Sequence, residues 1–380
     1  MKTNARLFAL ALLLGANASA ASFVAVGENA ELFLTANVSV AMDDNIYLRA
    51  TNEADDTIVS FTPGLDFVFG RNAATSGNIY YRHQFLRYSD YSQQDTDLAN
   101  VGINTQYANG KSKLNFGVSF AELAQNDAQV AGFIIDRDLT TVRLSGEIGV
   151  SEKTTIGAGA NLEKSSYALS SFTDSTVWNV PVDMYFEYSP KLQASVGYRY
   201  RNTDLSGVAI DSKDHFFNVG ARGEFTPKLS GQIRIGYVVR DFSNNTDDSD
   251  FGAEANLTWA FSEKTSVSLN ASSDYNSTPV GASTQVKRIG FSSNTKVTEQ
   301  LSWNANFSYG MTEYDRREDD LVSGGFGLAY TYNAYVNFAA TYAVRSNGAD
   351  SKTALAADLT AARNAEFDNN VFSLAANIRY

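Results

Sequence analysis

The sequence predicts an all-β protein, a transmembrane antiparallel up-and-down β-barrel of about 18 strands. Three observations lead to this fold class. Apolar and polar residues alternate along most of the chain, one hairpin turn recurs at a nearly constant spacing, and the N-terminus is typical of exported proteins. Alternation with a period of two gives a strand two faces in different environments. In a bilayer, strands satisfy their backbone polar groups only when the sheet closes into a barrel.

The N-terminal segment predicts export. Lys2 and Arg6 flank the start of an apolar run at residues 7–15, and Ala18-Ser19-Ala20 has the small residues of a cleavage site. We therefore predict a signal peptide at residues 1–20, a short periplasmic segment at 21–30 and an outer-membrane barrel at 31–380. No later run of about 18 apolar residues predicts a transmembrane helix. The chain has no Cys, which excludes disulfides and a lipid-anchored cysteine.

Composition narrows the classes of partner. The chain has 42 acidic and 30 basic residues and a net charge of −12, which argues against nucleic acid, whose binding requires Lys and Arg against phosphates. No change in composition marks a domain boundary, and one large barrel accounts for the whole length. The expected surroundings are outer-membrane lipid and the barrel-assembly machinery.

A repeated turn predicts the strand number. The turn has a three-residue pattern: Ser or Thr, then Pro or Glu, then Lys or Gln. This pattern begins at Ser151, Ser189, Thr226, Ser262 and Thr298, at spacings of 36 to 38 residues. Ser or Thr followed by Pro suits a tight type I turn. Each repeat holds two strands, one short turn and one longer polar loop. Extending the pattern in both directions gives 18 strands, with eight short periplasmic turns and nine long external loops, and bacterial barrels have even strand numbers.

Two local structures are also predicted outside this repeat. Asn109-Gly110 has the composition of a two-residue type I′ hairpin turn. In the last external loop, Leu355, Leu359 and Ala362 stand at helical spacing, which predicts a short helix within residues 351–367.

The two faces of the strands predict a polar lumen. Trp303, Ala305 and Phe307 alternate with Asn304 and Asn306. Because lipid offers no partner to a polar group, the apolar set is expected to face the bilayer and the polar set a wet interior.

Charged residues on the polar face are the candidate channel-lining residues. Two interpretations stay open: an internal salt-bridge network that stiffens the wall, or an arginine-lined track for an anionic solute or sugar polymer, since rings of charge set selectivity in pores. The candidates are Arg143, Arg199, Arg201, Arg222, Arg234, Arg240, Glu147, Asp183, Glu187 and Glu224.

The last strand is expected to close the barrel and to carry the assembly signal. Phe372, Leu374, Ile378 and Tyr380 lie on one face of it. A terminal aromatic residue suits the aromatic girdle at the membrane interface. We predict that this strand pairs with the first one and that these four residues are read by the assembly machinery.

No residues predict catalysis, a metal site or a cofactor. His83 and His215 are far apart in sequence, and no nucleophile motif accompanies either of them. The segments Asp247-Asp248-Ser249-Asp250 and Glu318-Asp319-Asp320 could bind divalent cations at the cell surface, but they lack the full calcium-loop pattern, and solvated loops are the simpler interpretation.

Two N-terminal motifs resemble a known family. Asp43-Asp44-Asn45-Ile46-Tyr47-Leu48 follows the first strand, and Phe61-Thr62-Pro63-Gly64-Leu65-Asp66-Phe67 forms part of the second. This pattern resembles the putative β-barrel porin 2 family of Gram-negative envelopes. The resemblance implies an outer-membrane barrel and, as in members linked to exopolysaccharide export systems, a role as the exit component.

Four functions therefore remain as expectations. The first is an outer-membrane conduit for an exported, anionic polysaccharide, with a polysaccharide export system as partner. The second is a general diffusion porin for small solutes, and the third is a closed structural or adhesive surface barrel. The fourth is a soluble secreted β-protein, which fractionation away from the outer membrane would reveal.

Overall fold

Eighteen antiparallel strands close into one barrel in the computed structural model, which describes residues 22–380. Each strand pairs with its neighbours in sequence, and the last strand pairs with the first long one. The predicted up-and-down barrel and its strand number are confirmed. The predicted signal peptide at residues 1–20 lies outside the described residues.

The long strands have 13 to 16 residues, and one short strand precedes them. No helix among the described residues has the length and apolar composition needed to cross a membrane. The helices are α1 Ala356–Ala365 and two short 3₁₀ turns at Ser92–Gln94 and Ala128–Val130. The strands are β1 Val24–Val26, β2 Ala30–Asp43, β3 Asp56–Phe69, β4 Thr75–Tyr88, β5 Thr96–Ala108, β6 Ser112–Asn126, β7 Ile134–Gly149, β8 Thr154–Tyr167, β9 Ser175–Ser189, β10 Leu192–Leu205, β11 Ser212–Thr226, β12 Leu229–Phe242, β13 Asp247–Ala260, β14 Thr265–Ser277, β15 Ser283–Lys296, β16 Leu301–Glu313, β17 Arg317–Thr331, β18 Val336–Ser351 and β19 Phe367–Arg379.

The outer surface of the barrel is apolar, as the alternation predicts. On β16, Phe307 is 50% exposed on this surface, whereas Asn304 on the inner face is 4% exposed. Aromatic side chains gather where the strands meet the short turns, among them Tyr188, Trp259 and Tyr332. Such a ring marks the interface between lipid and water in membrane barrels.

The repeated turn is closed by the side chain of its first residue. Thr298 Oγ1 accepts hydrogen bonds from the backbone N–H groups of Gln300 and Leu301, at 3.2 and 2.9 Å. Thr226 and Ser262 do the same in their own turns. These bonds satisfy backbone donors that a tight turn leaves without a partner, so the sequence repeat reflects local hydrogen bonding.

The predicted type I′ turn at Asn109-Gly110 is wrong. That turn requires positive φ at both central residues, and neither Asn109 nor Gly110 has it. Asn109 is instead the first residue of the turn, and its Oδ1 accepts from the N–H groups of Lys111 and Ser112 at 3.1 and 2.8 Å. It therefore acts as Thr298 does, through side-chain capping of the turn.

Two segments, β19 and β1, pair with the same edge of β2 where the barrel closes. β19 pairs with residues 35–43 of β2, and β1 pairs with residues 30–32 of the same edge. Tyr380 links the two, because its backbone exchanges hydrogen bonds of 2.6 and 2.8 Å with Leu34 and its ring lies 6.1 Å from that of Phe23. Part of the predicted periplasmic segment is thus a short strand.

At the end of the barrel opposite the short turns, the connecting segments are shorter than the predicted loops. The strands continue beyond the apolar belt, because backbone pairing also persists in water. The two Asp-rich segments, at residues 247–250 and 318–320, therefore lie at the beginning of β13 and β17. Only residues 44–55 and 352–366 remain long. The predicted helix forms as α1, but Leu355 and Leu359 are exposed, and Ala362 and Ala365 are the residues it buries.

Candidate functional site

Eight charged side chains form one continuous run of ion pairs on the inner wall of β9–β14. Four arginines alternate with four carboxylates, and successive N···O distances are 2.5–3.4 Å. Because positive and negative groups are equal in number, the run has no net charge. We call it the arginine–carboxylate chain, and its members in order are Arg240, Asp214, Arg201, Asp274, Arg199, Glu254, Arg234 and Asp183.

The upper part of this chain, nearest the long connecting segments, is withdrawn from water. The side chains of Asp214 and Arg240 are each 1% exposed. Asp214 accepts from Arg240 at both carboxylate oxygens, at 2.5 and 2.9 Å, and from Arg201 at Oδ2, at 2.5 Å. A buried charge is tolerated only when it is paired in this way.

Aromatic packing holds one of these arginines, Arg199, in place. Arg199 and Arg201 on β10 reach Asp274 on β14, four strands away. The ring of Phe216 on β11 is buried, and a Cβ at Gly252 would come within 2.5 Å of that ring. Arg199 then stacks on Phe216, 4.9 Å from its centroid. The glycine therefore makes room for the aromatic ring on which Arg199 stacks.

A second ion pair lies nearer the short turns. Arg222 donates to Glu147 at 2.5 and 3.0 Å, and its guanidinium stacks on Tyr185 at 3.3 Å. Tyr185 donates to Asp183 at 3.2 Å, which links this pair to the arginine–carboxylate chain. Five of the six predicted arginines thus form ion pairs with carboxylates, so they add little positive electrostatic potential to the lumen.

Two predicted carboxylates lie away from this network. Glu224 pairs with Lys191 at 2.5 Å beside the short turn, where both side chains are substantially exposed. Glu187 lies at the same end, and its backbone N–H donates to the carbonyl of Lys153. The structure therefore separates these two residues from the other predicted lining residues.

A cavity of about 540 Å³ lies at the loop end of the lumen and is called the upper chamber. The remaining predicted arginine, Arg143, lines it together with Arg137 and Arg288. Tyr314, between β16 and β17, also lines it, and burial followed by the nearby Asp319 carboxylate raises its pKa to about 12. The carboxylates of Asp127 and Glu163 also line it, together with neutral polar side chains, among them Thr141, Asn161, Asn179, Thr203, Asn276 and Thr312.

A second cavity, of about 510 Å³, lies along β13–β16. Ala271, Ile289, Phe291 and Phe307 contribute to its lining, and the inward-facing small residues of the lining are called the small polar wall: Asn256, Asn270, Ser272, Gly290, Ser292, Asn306 and Ser308. Arg288 lines both cavities, so they lie next to each other along the lumen.

Residues 44–55 fold inward across part of the mouth. Tyr47 accepts at its carbonyl from the N–H of Gly132, at 2.6 Å, and Asn126 Nδ2 donates to the carbonyl of Ile46. Ile46, Tyr47 and Ala54 form a small buried cluster. This segment therefore reaches from β2 and β3 to the connection after β6, and it makes one side of the mouth apolar where sequence alternation predicts a polar interior.

The motif that carries the family resemblance anchors this segment. Asn45 Nδ2 donates to the carbonyls of Arg49 and Asp368, each at 2.8 Å. Asp43 Oδ1 accepts from Asn369 Nδ2 at 2.6 Å. The motif thus ties the segment to the start of β19, a role that sequence reasoning missed because its partners are more than 320 residues away.

Both histidines lie on the outer face, among aromatic residues. His83 Nδ1 is 3.2 Å from the hydroxyl of Tyr81, and its ring contacts Phe85. His215 Nδ1 is 2.7 Å from the hydroxyl of Tyr198. Neither side chain reaches the cavities.

The apolar outer belt, the closed sheet and the polar cavities inside it define the class of protein: an outer-membrane porin-like β-barrel. The chain belongs to the putative beta-barrel porin 2 family, whose model matches residues 25–363. The resemblance found in the sequence is therefore confirmed.

Solved structures share the fold at low identity. The FrpB iron transporter from Neisseria meningitidis, in its F5-1 variant apoprotein form, has a TM-score of 0.51 at 8% identity, over 93% of this chain and 82% of that chain. OccK2 (OpdF) from Pseudomonas aeruginosa, solved in complex with glucuronate, has a TM-score of 0.50 at 10% identity, over 92% of this chain and 98% of that chain. No curated protein sequence matches the chain.

Proposed function

We propose that this barrel is a passive outer-membrane channel whose substrate is an exported anionic polysaccharide. The observation that carries the proposal is the path formed by the upper chamber and the small polar wall. Amide and hydroxyl side chains exchange hydrogen bonds with sugar hydroxyl groups, and Ser and Gly leave room for a chain of sugars to pass.

The family resemblance supports the choice of a polysaccharide over other hydrophilic solutes, since members that resemble this chain are often linked to exopolysaccharide export systems. The proposal includes export through a signal peptide cleaved after Ala20, and insertion by the barrel-assembly machinery. The mass of the mature protein tests the cleavage, because retention of residues 1–20 would contradict it.

A bulky residue on the small polar wall should narrow the channel. We expect Ser292→Trp to lower single-channel conductance in planar bilayers by roughly half, because the indole would project into the lumen. Phe326→Trp on β17 is the matched control, since Phe326 lies outside the lining of this cavity and faces lipid, 47% exposed. Equal conductance in both variants would place the path elsewhere, and absence of any conductance in the wild-type protein would favour a closed structural barrel.

A general diffusion porin for small solutes is the second candidate. The inward fold of residues 44–55 favours it, because a narrowed mouth suits small molecules better than a polymer. A deletion strain separates the two. Loss of capsule or matrix with unchanged uptake of small solutes supports the polysaccharide conduit, and the reverse result supports the diffusion porin.

A further inference from the structure

Three arginines of the upper chamber, Arg137, Arg143 and Arg288, differ from those of the arginine–carboxylate chain, and the last two are the exposed ones. Each arginine of that chain lies within 3.4 Å of at least one carboxylate oxygen. Arg143 and Arg288 are both exposed to the lumen, and within residues 22–380 neither has an ion pair or a side-chain hydrogen bond. Their positive charges therefore remain available to a solute.

Arg143 and Arg288 lie on opposite sides of the lumen. Arg143 lies on β7 and Arg288 on β15, which are eight strands apart in a barrel of 18. Positions nine strands apart would be diametrically opposite. Both side chains line the same chamber, so a molecule inside it meets a guanidinium group on each side.

The same chamber holds further polar atoms that lack partners. Arg137 Nε and Asn179 Oδ1 are buried and make no hydrogen bond to any described residue. A buried donor or acceptor without a partner is unfavourable, so reorientation of either side chain toward a ligand in the chamber is favoured. Arg137 supplies a donor and Asn179 an acceptor, which suits a ligand with both kinds of group.

We propose that the upper chamber binds the carboxylate of a sugar acid between Arg143 and Arg288. This inference rests on the proposed function, since the ligand enters along the channel path. Guanidinium groups recognise carboxylates through paired hydrogen bonds. Thr141, Asn161 and Asn276 line the chamber and bind the sugar hydroxyl groups. A volume of about 540 Å³ lies within the usual range for ligand pockets.

The charge of the chamber selects the class of anion. Asp127 and Glu163 also line it, and neither forms an ion pair in the described part of the chain. Their carboxylates oppose the entry of a highly charged group. A ligand with one negative charge per sugar unit is therefore preferred over a phosphate ester with two.

Current block in planar bilayers tests the site. Sodium glucuronate is titrated against the purified barrel, with glucose and inorganic phosphate as comparison solutes. We expect glucuronate to block the wild-type channel, and Arg143→Gln combined with Arg288→Gln to weaken the block about tenfold, because two charge-assisted contacts are lost. Lys228→Gln combined with Lys264→Gln is the matched control, since it removes the same charge from the short turns and should leave the block unchanged.

The outcomes separate this inference from the proposed function. Three results would overturn the binding site while the proposed channel function remains supported. They are conductance that glucuronate does not block, equal block by glucose or phosphate, and unchanged block in the double variant. If the wild-type barrel conducts no current, the proposed function fails. In that case, calorimetry of glucuronate with the detergent-solubilised barrel tests whether the binding site exists. Absence of binding heat in the wild type, or equal heat in the double variant, overturns the binding site.

Discussion

At the scale of single residues, Asp214 is the carboxylate on which the upper lumen wall depends. It lies between Arg201 and Arg240, and the side chains of Asp214 and Arg240 are almost completely buried. Arg240 also donates to Ser283 Oγ at 2.8 Å and stacks on Tyr275. Removal of the carboxylate would leave two guanidinium groups inside the wall with too little negative charge near them.

We expect Asp214→Ala to lower the free energy of unfolding by about 3–5 kcal/mol, the usual cost of leaving a buried charge unpaired. Urea unfolding in lipid vesicles, followed by tryptophan fluorescence, measures the change. Asp97→Ala is the matched control, because Asp97 pairs with Arg87 at 2.6 Å but both side chains are about half exposed. Such a pair contributes about 0–1 kcal/mol, and similar losses in the two variants would contradict the argument.

At the scale of elements, the segment at residues 44–55 shows how one motif shapes the mouth. Its apolar residues Ile46 and Leu48 are buried, although they stand in a connecting loop. Leu48 has a φ of 52°, a left-handed conformation that leucine rarely adopts. The hydrogen bonds of Asn45 to Arg49, on either side of this turn, hold the strained conformation in place.

Asn45→Ala should release this segment from β19. We expect faster trypsin cleavage after Arg49 and larger, noisier single-channel currents, because three side-chain hydrogen bonds at a buried position are lost. Limited proteolysis and bilayer recording measure the two effects. Glu53→Ala changes an exposed residue of the same segment and should behave as wild type. Unchanged cleavage in Asn45→Ala would show that the motif does not anchor the mouth.

At the scale of the whole molecule, closure of the sheet removes every open strand edge from the membrane. An edge in lipid would leave its backbone polar groups without partners. Phe372, Leu374 and Ile378 face outward on β19, each 39–52% exposed, while Arg379 turns inward and stacks on Phe33. The predicted assembly signal therefore lies on the lipid-facing side of the closing seam.

Deletion of Tyr380 should impair insertion more than function. The deletion removes two backbone hydrogen bonds to Leu34 and ring contacts with Phe23 and Tyr335. We expect a lower amount of folded barrel, measured by its heat-modifiable shift on gels, but normal conductance of each barrel that inserts. Tyr380→Phe keeps the ring and the backbone and is the control. Wild-type amounts of folded barrel after the deletion would contradict a role in assembly.

The features that could be predicted from the sequence are those set by neighbouring residues. A period of two decides which side chains face lipid, and residues such as Thr298 close turns through bonds to atoms two and three residues away. Strand number and closure follow from these local rules together with the demands of a bilayer. The helix near residue 360 was predicted for the same reason, although the side chains it buries were not.

Only the tertiary structure decided which inward-facing charged side chains form ion pairs. Arg199 and Asp274 are 75 residues apart, and their contact depends on the register and curvature of four intervening strand pairings. The same geometry leaves Arg143 and Arg288 without partners, although in sequence they look like the other inward arginines. Alternation specifies a face and nothing about distance across the lumen, whereas electrostatic pairing depends on distances of a few ångströms.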